Sequence, residues 1–292
     1  MITVTNLSKQ LKEKTILQTI SFEVKAGECV ALIGPNGAGK TTLISCILGD
    51  SSLSTGSILL NGQPPKAMAN KRKIAVLLQE NVLPKGLKAI ELIHFFQTIH
   101  PDSLTMEEIQ GLLQFSTSQL QQFTEKLSGG QKRLLAFVLC LIGKPSLLFL
   151  DEPTAGMDTS TRQRFWQIIQ ELKNEGTTIF YTSHYIEEVE HTADRILLLH
   201  QGKLIQDTTP YAIRNAHMNK LVTLPIRFLS FVRSLESISQ IVEGIETVQF
   251  ETTQLEKIWP QLQQAGCRIT DVEIQNQSLL NILFAMTEEE KQ

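Results

Sequence analysis

A glycine-rich loop between a strand and a helix constrains this chain more than any other segment. Residues 34–41 read GPNGAGKT and follow ECVALI, a nearly continuous apolar run that is typical of a strand buried on both faces. The residues from Thr41 to Leu48 predict a helix. In this setting, G-x-x-x-x-G-K-[ST] indicates a loop whose backbone N–H groups surround phosphates at a helix N-terminus. The loop therefore predicts a phosphate-binding site in an α/β fold.

Two side chains at the end of this loop suit nucleotide chemistry. We expect Lys40 to reach the β- and γ-phosphates and the Thr41 hydroxyl to be a Mg²⁺ ligand. An ordinary glycine turn is the alternative interpretation. With glycine near about 7% of residues, the full pattern arises by chance in roughly one in a hundred chains of this length.

A second strand ends in two carboxylates. The apolar run Leu147 to Leu150 is followed by Asp151 and Glu152. Because parallel sheets bind ligands at the carboxyl ends of their strands, we expect both side chains to lie beside the glycine-rich loop. Asp151 suits the Mg²⁺ side of the site, and Glu152 suits the polarisation of an attacking water. Alone, such a pair would be a solvated turn or a helix cap.

The order of strand and helix patterns predicts two domains. Strand-like runs such as KIAVLLQ, TTIFYTS and RILLLH alternate with helical patterns, which indicates a parallel sheet covered on both faces. Short alternating segments before Val30 predict edge-type strands, and residues 80–144 have helical spacing. After about Tyr211 the patterns restart and predict a small βαβ-type domain with its own core.

Composition excludes several classes of protein. The chain has 292 residues and a net charge of −3, with 27 basic and 30 acidic residues and no dense basic block, which disfavours nucleic acid as a partner. Its four cysteines are scattered without C-x-x-C pairs and predict buried thiols of a reducing compartment. No apolar run reaches 18 residues and no signal peptide is evident, so we expect a soluble, unexported protein.

Further motifs make the resemblance to one family specific. KLSGGQ at 126–131, Gln79 after a strand, AGMD at 155–158 and His184 stand in the order that resembles the ATP-binding subunit of an ABC transporter. The resemblance covers about residues 1–220. It implies a P-loop NTPase of ABC type, in which a mixed, largely parallel sheet carries an antiparallel β-subdomain and a helical subdomain at about 80–144.

The resemblance also implies the domain limits. Residues 1–211 would form the ATP-binding domain, and residues 212–292 a small α+β accessory domain. That second domain resembles the one found in ABC-2 type subunits of drug, sodium or polysaccharide export, and VEIQNQSLLNILFAMTEE is similar to its closing helix. Whether this domain pairs with its copy in a neighbouring subunit or packs on the ATP-binding domain stays open.

Carried onto this sequence, the family motifs imply the site residues. The Walker A loop would bind ATP through Gly34, Pro35, Asn36, Gly37, Ala38, Gly39, Lys40, Thr41 and Thr42. Thr41, Gln79 and Asp151 would be the Mg²⁺ ligands. Gln79, Glu152 and His184 would be the catalytic residues, with Glu152 as base and His184 in contact with the γ-phosphate. By itself, His184 would more commonly be a structural histidine.

The signature implies a dimer. In this family the signature, here Leu127 to Gln131, closes over the ATP of a second subunit through Ser128, Gly129, Gly130 and Gln131. Met157 and Asp158 would be the centre of the D-loop, with Asp158 beside the nucleotide. A side chain on either glycine would block that approach. Ser128 is also a candidate N-cap of the following helix, and both roles are compatible.

The resemblance thus implies an ATPase that dimerises around two ATP and drives a separately encoded ABC-2 type membrane permease, as an exporter. Such a subunit lies in the cytoplasm, on the inner face of the cell membrane, and docks its permease in a groove beside the Q-loop, whose glutamine would be Gln79. Exposed apolar residues near Leu83 to Leu87 would favour that docking role.

Two other functions fit the sequence less well. A soluble, non-transport ABC ATPase acting on a macromolecular assembly usually has two ATP-binding domains or a long coiled coil, and this sequence shows neither. A regulatory module that binds ATP without hydrolysing it is disfavoured by the set Lys40, Asp151, Glu152 and His184.

Two positions depart from the family pattern. Leu11 stands where an aromatic residue normally stacks on adenine, and a lost stacking contact of about 1–3 kcal/mol predicts weaker or less base-selective binding. Leu134 stands where an arginine is frequent. Whether Lys132 or Arg133 takes the role of that charge stays open.

Overall fold

The chain divides into two units, Met1–Thr209 and Pro210–Gln292. The computed structural model describes residues 1–79, 83–183, 185–216 and 220–276. The strands of the first unit are β1 (Ile2–Leu11), β2 (Lys14–Val24), β3 (Cys29–Ile33), β4 (Thr55–Leu60), β5 (Ile74–Leu77), β6 (Leu147–Leu150), β7 (Thr178–Thr182), β8 (Arg195–His200) and β9 (Lys203–Thr208). Its helices are α1 (Lys40–Ile47), α2 (Met68–Lys71), α3 (Ala89–Ile99), α4 (Met106–Leu113), α5 (Thr117–Leu120), α6 (Gly129–Leu141), α7 (Thr159–Asn174) and α8 (Ile186–Thr192).

Two sheets share the core of the first unit. A six-stranded sheet has the order β5-β6-β7-β3-β8-β9, and its pairs are parallel except for β8 with β9. A three-stranded antiparallel sheet has the order β2-β1-β4. Phe22 of β2 stacks on Phe180 of β7 with ring centroids 6.0 Å apart, which joins the two sheets. Together these sheets confirm the predicted fold class of a mixed, largely parallel sheet with an antiparallel subdomain.

The central strands are apolar because they are buried on both faces. Every residue of β3, β6 and β7 is buried, as their continuous apolar runs predict. Helices α3 to α6 lie between β5 and β6 in the chain, in the segment that has helical spacing. The strand order β5-β6-β7-β3 brings four strand ends to one edge, and this edge carries the residues of the site.

The second unit is a small antiparallel sheet with helices. Its elements are α9 (Pro210–Ala216), β10 (Lys220–Pro225), α10 (Leu229–Val232), β11 (Ser239–Glu243), β12 (Thr247–Thr252), α11 (Leu255–Gln264) and β13 (Glu273–Asn276). The strand order is β11-β12-β10-β13. Its own core includes Val222, Phe250 and Leu262.

The connection in this unit is a split βαβ. Strands β12 and β13 both run antiparallel to β10, so they are parallel to each other with α11 between them in the chain. The closing helix expected in the segment 272–289 lies mostly outside the described residues, and the described part contains β13. Within the described ranges, no helix is both long and apolar enough to cross a membrane.

Candidate functional site

The glycine-rich loop connects β3 to α1 and is shaped by close contacts. A Cβ on Gly34 would lie 2.1 Å from the Leu199 carbonyl oxygen of β8, so only glycine fits there. Gly39 precedes α1 with a φ of 107°, and a Cβ would lie 2.8 Å from Leu17 Cδ2. Because glycine has no side-chain oxygen to cap the helix, the first N–H groups of α1 remain available for an anion.

Lys40 places its ammonium over this loop. Lys40 Nζ donates to the carbonyl oxygens of Gly34 at 2.8 Å and Pro35 at 3.2 Å. Burial lowers the pKa of Lys40, and the carboxylates of Glu152 and Asp151 oppose that shift. The loop therefore combines backbone donors with one cation, which suits a phosphate chain.

Asp151 is held between the strand ends. It follows β6 and is only 3% exposed. Its Oδ1 accepts a hydrogen bond from the Thr182 hydroxyl at 2.6 Å, and its Oδ2 accepts one from the Thr41 hydroxyl at 3.2 Å. The sheet order explains this arrangement, because β7, which ends with Thr182, lies between β6 and β3. Thr182 was not among the residues predicted for the site.

Glu152 has a strained backbone and an oriented carboxylate. Its φ of 46° lies in the left-handed region, which costs a non-glycine residue about 1–3 kcal/mol. The Glu152 N–H donates to Thr182 Oγ1 at 2.8 Å, which helps to fix this conformation. Gln79 Nε2 donates to Glu152 Oε2 at 3.1 Å, so the structure brings two predicted catalytic residues together.

Lys40, Thr41, Gln79 and Glu152 line one cavity of about 670 Å³, whereas Gly34 and Asp151 are not among its described lining residues. Its lining residues are Lys14, Ile16, Asn36, Gly37, Gly39, Lys40, Thr41, Thr42, Gln79 and Glu152. Leu11, which is 53% exposed at the end of β1, does not belong to this described lining. Lys14 and Ile16 of β2 do line the cavity, and sequence reasoning missed both.

The donor atoms at this edge fit Mg²⁺. Thr41 and Gln79 supply neutral oxygens, and the buried Asp151 supplies a carboxylate beside Thr41. Mg²⁺ prefers such oxygen ligands and is commonly held by one or two carboxylates together with substrate phosphates.

The signature residues form a separate cluster. Ser128 caps α6, with its Oγ accepting from the Gln131 N–H at 3.2 Å and its own N–H donating to Gln131 Oε1 at 3.0 Å. A Cβ on Gly130 would lie 3.1 Å from Asp158 Oδ2, whereas a Cβ on Gly129 would lie 3.8 Å from the Gly156 carbonyl oxygen. The structure therefore places Gly130 against Asp158 within the same chain.

Asp158 caps the neighbouring helix α7. Its Oδ1 accepts from the Ser160 hydroxyl at 2.6 Å and from the Thr161 N–H at 2.9 Å, and these bonds lower the pKa of Asp158. Of the residues that the structure describes, neither the signature residues nor Asp158 line the 670 Å³ cavity. The predicted site residues thus fall into two groups, and His184 lies outside the described residues.

Arg133 connects the two groups. Leu134 is buried among apolar residues, and Lys132 donates to the Glu125 carbonyl oxygen at 2.9 Å, outside the site. Arg133 is buried, and it donates to the carbonyl oxygens of Gln79, Asp151 and Glu152 among others. A lone arginine at the start of the apolar run RLLAFVLCLI is the sequence signal that could have identified it.

The chain is similar to known proteins of one family. Residues 17–155 match the family model described as ABC transporter. The chain is similar to the Nod factor export ATP-binding protein I of Sinorhizobium fredii, with 35% identity over 219 residues, 73% of this chain and 64% of that protein. It is 30% identical over 282 residues to the Nod factor export ATP-binding protein I of a Rhizobium species, covering 92% of both chains. It is 37% identical to the linearmycin resistance ATP-binding protein LnrL of Bacillus subtilis, over 70% of this chain and 68% of that protein.

Solved structures show the same fold. An ATP-binding subunit of an ABC transporter is 28% identical, with a TM-score of 0.65, over 74% of this chain and 92% of that one. A dimeric bacterial ABC transporter cassette, at 23% identity and a TM-score of 0.64, covers 72% of this chain and 99% of its own.

Proposed function

This chain belongs to the family of ABC transporter ATP-binding proteins, and from that premise we propose that it hydrolyses ATP as a homodimer that drives an export permease. One observation carries the proposal. The Glu152 carboxylate, oriented by Gln79 at 3.1 Å, lines the same cavity as Lys40 and Thr41. A base, a cation and a hydroxyl thus converge where the phosphates of ATP would lie.

Each residue has a defined part in the reaction. The loop N–H groups and Lys40 bind and orient the phosphates, and Glu152 accepts a hydrogen bond from the attacking water as general base. Gln79 fixes the direction of the Glu152 carboxylate. Thr41, Asp151 and Gln79 would hold Mg²⁺, which supplies charge neutralisation at the phosphate oxygens when it is bound. We assign His184 to the γ-phosphate from the family motif alone.

The separation of the two groups of residues supports a dimer. The N-terminus of α6, with Ser128 and the exposed Gly129, is a second helix N-terminus suited to an anion, outside the described lining of the cavity. In the proposed dimer, this end of α6 contacts the γ-phosphate of ATP held by the partner subunit. ATP then joins the subunits, and loss of the γ-phosphate releases them.

An apolar groove formed mainly by residues of the helical segment suits a membrane partner. Its volume is about 640 Å³, and its lining is apolar apart from Glu91: Val76, Leu83, Pro84, Leu87, Glu91, Leu92, Phe95, Phe96, Ala136, Leu139 and Cys140. Leu87 is 38% exposed and Phe95 is 58% exposed. Exposed apolar side chains gathered in a groove are typical of a binding surface. We assign the groove to an apolar helix of the permease.

The names of the relatives direct the proposal toward export. The similar proteins are named for Nod factor export and linearmycin resistance. We therefore propose an exporter of ABC-2 type, with this subunit on the cytoplasmic face of the membrane through its permease. Residues 1–211 would be the motor, and residues 212–292 the accessory domain.

Substitution Glu152→Gln tests the proposal. Removal of the general base should lower the ATPase rate by about 10²–10⁴-fold. Because the phosphate loop and α6 are unchanged, the variant should still bind ATP and should accumulate as a dimer in size-exclusion chromatography with ATP and Mg²⁺.

Glu107→Gln is the matched control, since Glu107 is exposed on α4 away from the cavity lining. It should hydrolyse ATP normally and should not accumulate as an ATP-bound dimer. Normal turnover by the Glu152→Gln variant would refute the proposed role of Glu152.

A further inference from the structure

Arg133 lies on α6, one turn after Gly129 at the helix start. It is 8% exposed. We propose that Arg133 is a positioning residue that ties the signature end of α6 to the catalytic pair Gln79 and Glu152. The inference rests on the proposed function and concerns how its two groups of residues are connected.

All five N–H donors of the Arg133 guanidinium form hydrogen bonds with backbone carbonyl oxygens. Its Nε donates to the Pro153 carbonyl oxygen at 3.0 Å. Nη1 donates to Leu78 O at 2.6 Å and Gln79 O at 3.1 Å, and Nη2 to Asp151 O at 3.0 Å and Glu152 O at 3.2 Å. Arginine has five N–H donors in a rigid fork, so each donor has one carbonyl partner here.

These acceptors belong to two segments that must stay aligned. Leu78 and Gln79 follow β5, and Asp151, Glu152 and Pro153 follow β6. The Gln79 side chain donates to the Glu152 carboxylate, and Arg133 holds the backbone of both residues. The Thr182 hydroxyl accepts a hydrogen bond from the Glu152 N–H, and Arg133 donates one to the Glu152 carbonyl oxygen. The left-handed backbone conformation of Glu152 is therefore held by hydrogen bonds at both its N–H and its carbonyl group.

The location of Arg133 gives this contact a mechanical consequence. Ser128 and Gly129 at the start of α6 are the proposed contact with the partner's γ-phosphate. A rigid helix carries any displacement of that end to Arg133, and Arg133 carries it to Gln79 and Glu152. Binding of ATP in one site would thereby align the catalytic carboxylate of the other.

The full-length Arg133→Lys variant tests the positioning role. Lysine keeps the charge but has three donors on a flexible stem, so it cannot hold five carbonyls. Misplacement of a catalytic group by about 1 Å costs up to about 10²-fold, so kcat should fall by about 10- to 100-fold. KM should change by less than about threefold, because ground-state binding of ATP depends on the phosphate loop.

Arg164→Lys is the matched control. Arg164 of α7 also holds carbonyl oxygens, those of Leu112 at 3.0 Å and Gly111 at 2.6 Å, at the end of α4 away from the catalytic pair. Both variants should lose thermal stability, whereas only Arg133→Lys should lose kcat. If Arg133→Lys does not fold, Arg133→Gln, which is uncharged and shorter, is measured in its place.

A double-mutant cycle tests the connection along α6. If Ser128 acts on the catalytic pair through Arg133, the kcat loss of Ser128→Ala with Arg133→Lys should be smaller than the product of the single losses. The cycle of Ser128→Ala with Arg164→Lys should be multiplicative, as it is for independent sites.

The outcomes separate the two proposals. A wild-type chain that neither hydrolyses ATP nor dimerises with it would overturn the proposed function. If the wild-type chain hydrolyses ATP and dimerises with it, but the Arg133→Lys and Arg164→Lys variants have the same kcat, only the positioning role would be overturned. Multiplicative losses in the Ser128–Arg133 cycle would overturn the connection along α6.

Discussion

Two glycine-rich segments of this chain stand at the starts of helices, and they differ in how the first N–H groups of the helix are capped. The phosphate loop enters α1 through Gly39, whose lack of a side chain leaves the first N–H groups of the helix uncapped. The signature enters α6 through Ser128, which forms a reciprocal capping box with Gln131. The N-terminus of α1 therefore leaves its N–H groups available for a phosphate in the cavity. At the N-terminus of α6, the N–H of Gln131 is already hydrogen-bonded to Ser128 without a ligand.

The glycines of the two segments also differ in how much room the surrounding structure leaves for a side chain. A Cβ on Gly34 or Gly39 would lie within 3 Å of backbone or side-chain atoms of the same chain, so the fold itself requires glycine at both positions. A Cβ on Gly129 would lie 3.8 Å from the Gly156 carbonyl oxygen, an ordinary van der Waals contact, so the described part of this chain does not require glycine there. The fold of this chain therefore requires glycine at the first helix start, whereas at Gly129 such a requirement would arise only in the proposed dimer.

The largest effect should come from Gly34→Ala. The new Cβ would lie 2.1 Å from the Leu199 carbonyl oxygen, and backbone must shift to relieve the contact. We expect the free energy of unfolding to fall by about 1–3 kcal/mol and ATP binding to be lost, because Lys40 donates to the Gly34 carbonyl oxygen. Urea denaturation and calorimetric titration with ATP measure both effects.

Gly111→Ala is the control for that substitution. Gly111 lies within α4, and apart from its chain neighbours and the backbone of its own helix, no heavy atom of the described residues lies within 4 Å of its Cβ position. Alanine should therefore raise the free energy of unfolding by up to about 1 kcal/mol, since it favours the helix. Equal stability of the two variants would contradict the difference between an internally required glycine and a replaceable one.

The sequence predicted the parts of this site that depend on local pattern. Continuous apolar runs identified β3, β6 and β7 because every residue in them is buried. The rule that strand ends share one edge brought Asp151 to Thr41, as the hydrogen bond between them shows. Strand β11 was missed because all five of its residues are exposed, so it has no alternating apolar face to detect.

Contacts set by tertiary structure could not be predicted. The five acceptors of Arg133 are backbone carbonyls from two distant segments, and no residue type marks a carbonyl as an acceptor. Threonine is a common residue in strands, so nothing in the sequence marks Thr182 as part of the site. The sheet order places its hydroxyl beside Asp151. The close contact between Gly130 and Asp158 likewise depends on how α6 meets α7.

The base side of the phosphate-loop cavity provides the next prediction. Leu11 is exposed at the end of β1, where it pairs with Lys14, and Lys14 and Ile16 line the cavity. Leu11→Tyr should strengthen ATP binding by up to about 1–3 kcal/mol through base stacking, and it should raise the preference for ATP over GTP. Affinities of both nucleotides for the wild type and the variant measure this.

Leu59→Tyr is the matched control, because Leu59 is also an exposed leucine of the antiparallel sheet and lies outside the described cavity lining. It should leave both affinities unchanged. The same affinity and base preference in the wild type and in Leu11→Tyr would show that phosphate contacts alone determine binding at this site.

The smallest effects should distinguish the two signature glycines. A Cβ on Gly130 would lie 3.1 Å from Asp158 Oδ2 and 3.3 Å from Thr161 Oγ1, so these side chains must shift by a few tenths of an ångström. Gly130→Ala should lower the free energy of unfolding by about 1 kcal/mol, whereas Gly129→Ala should change it by less than about 0.5 kcal/mol. In the Glu152→Gln background, Gly129→Ala should nevertheless weaken the ATP-dependent dimer, because its Cβ faces the proposed position of the partner's γ-phosphate. A dimer of unchanged affinity, measured by analytical ultracentrifugation with ATP, would remove the intermolecular reason for glycine at this position.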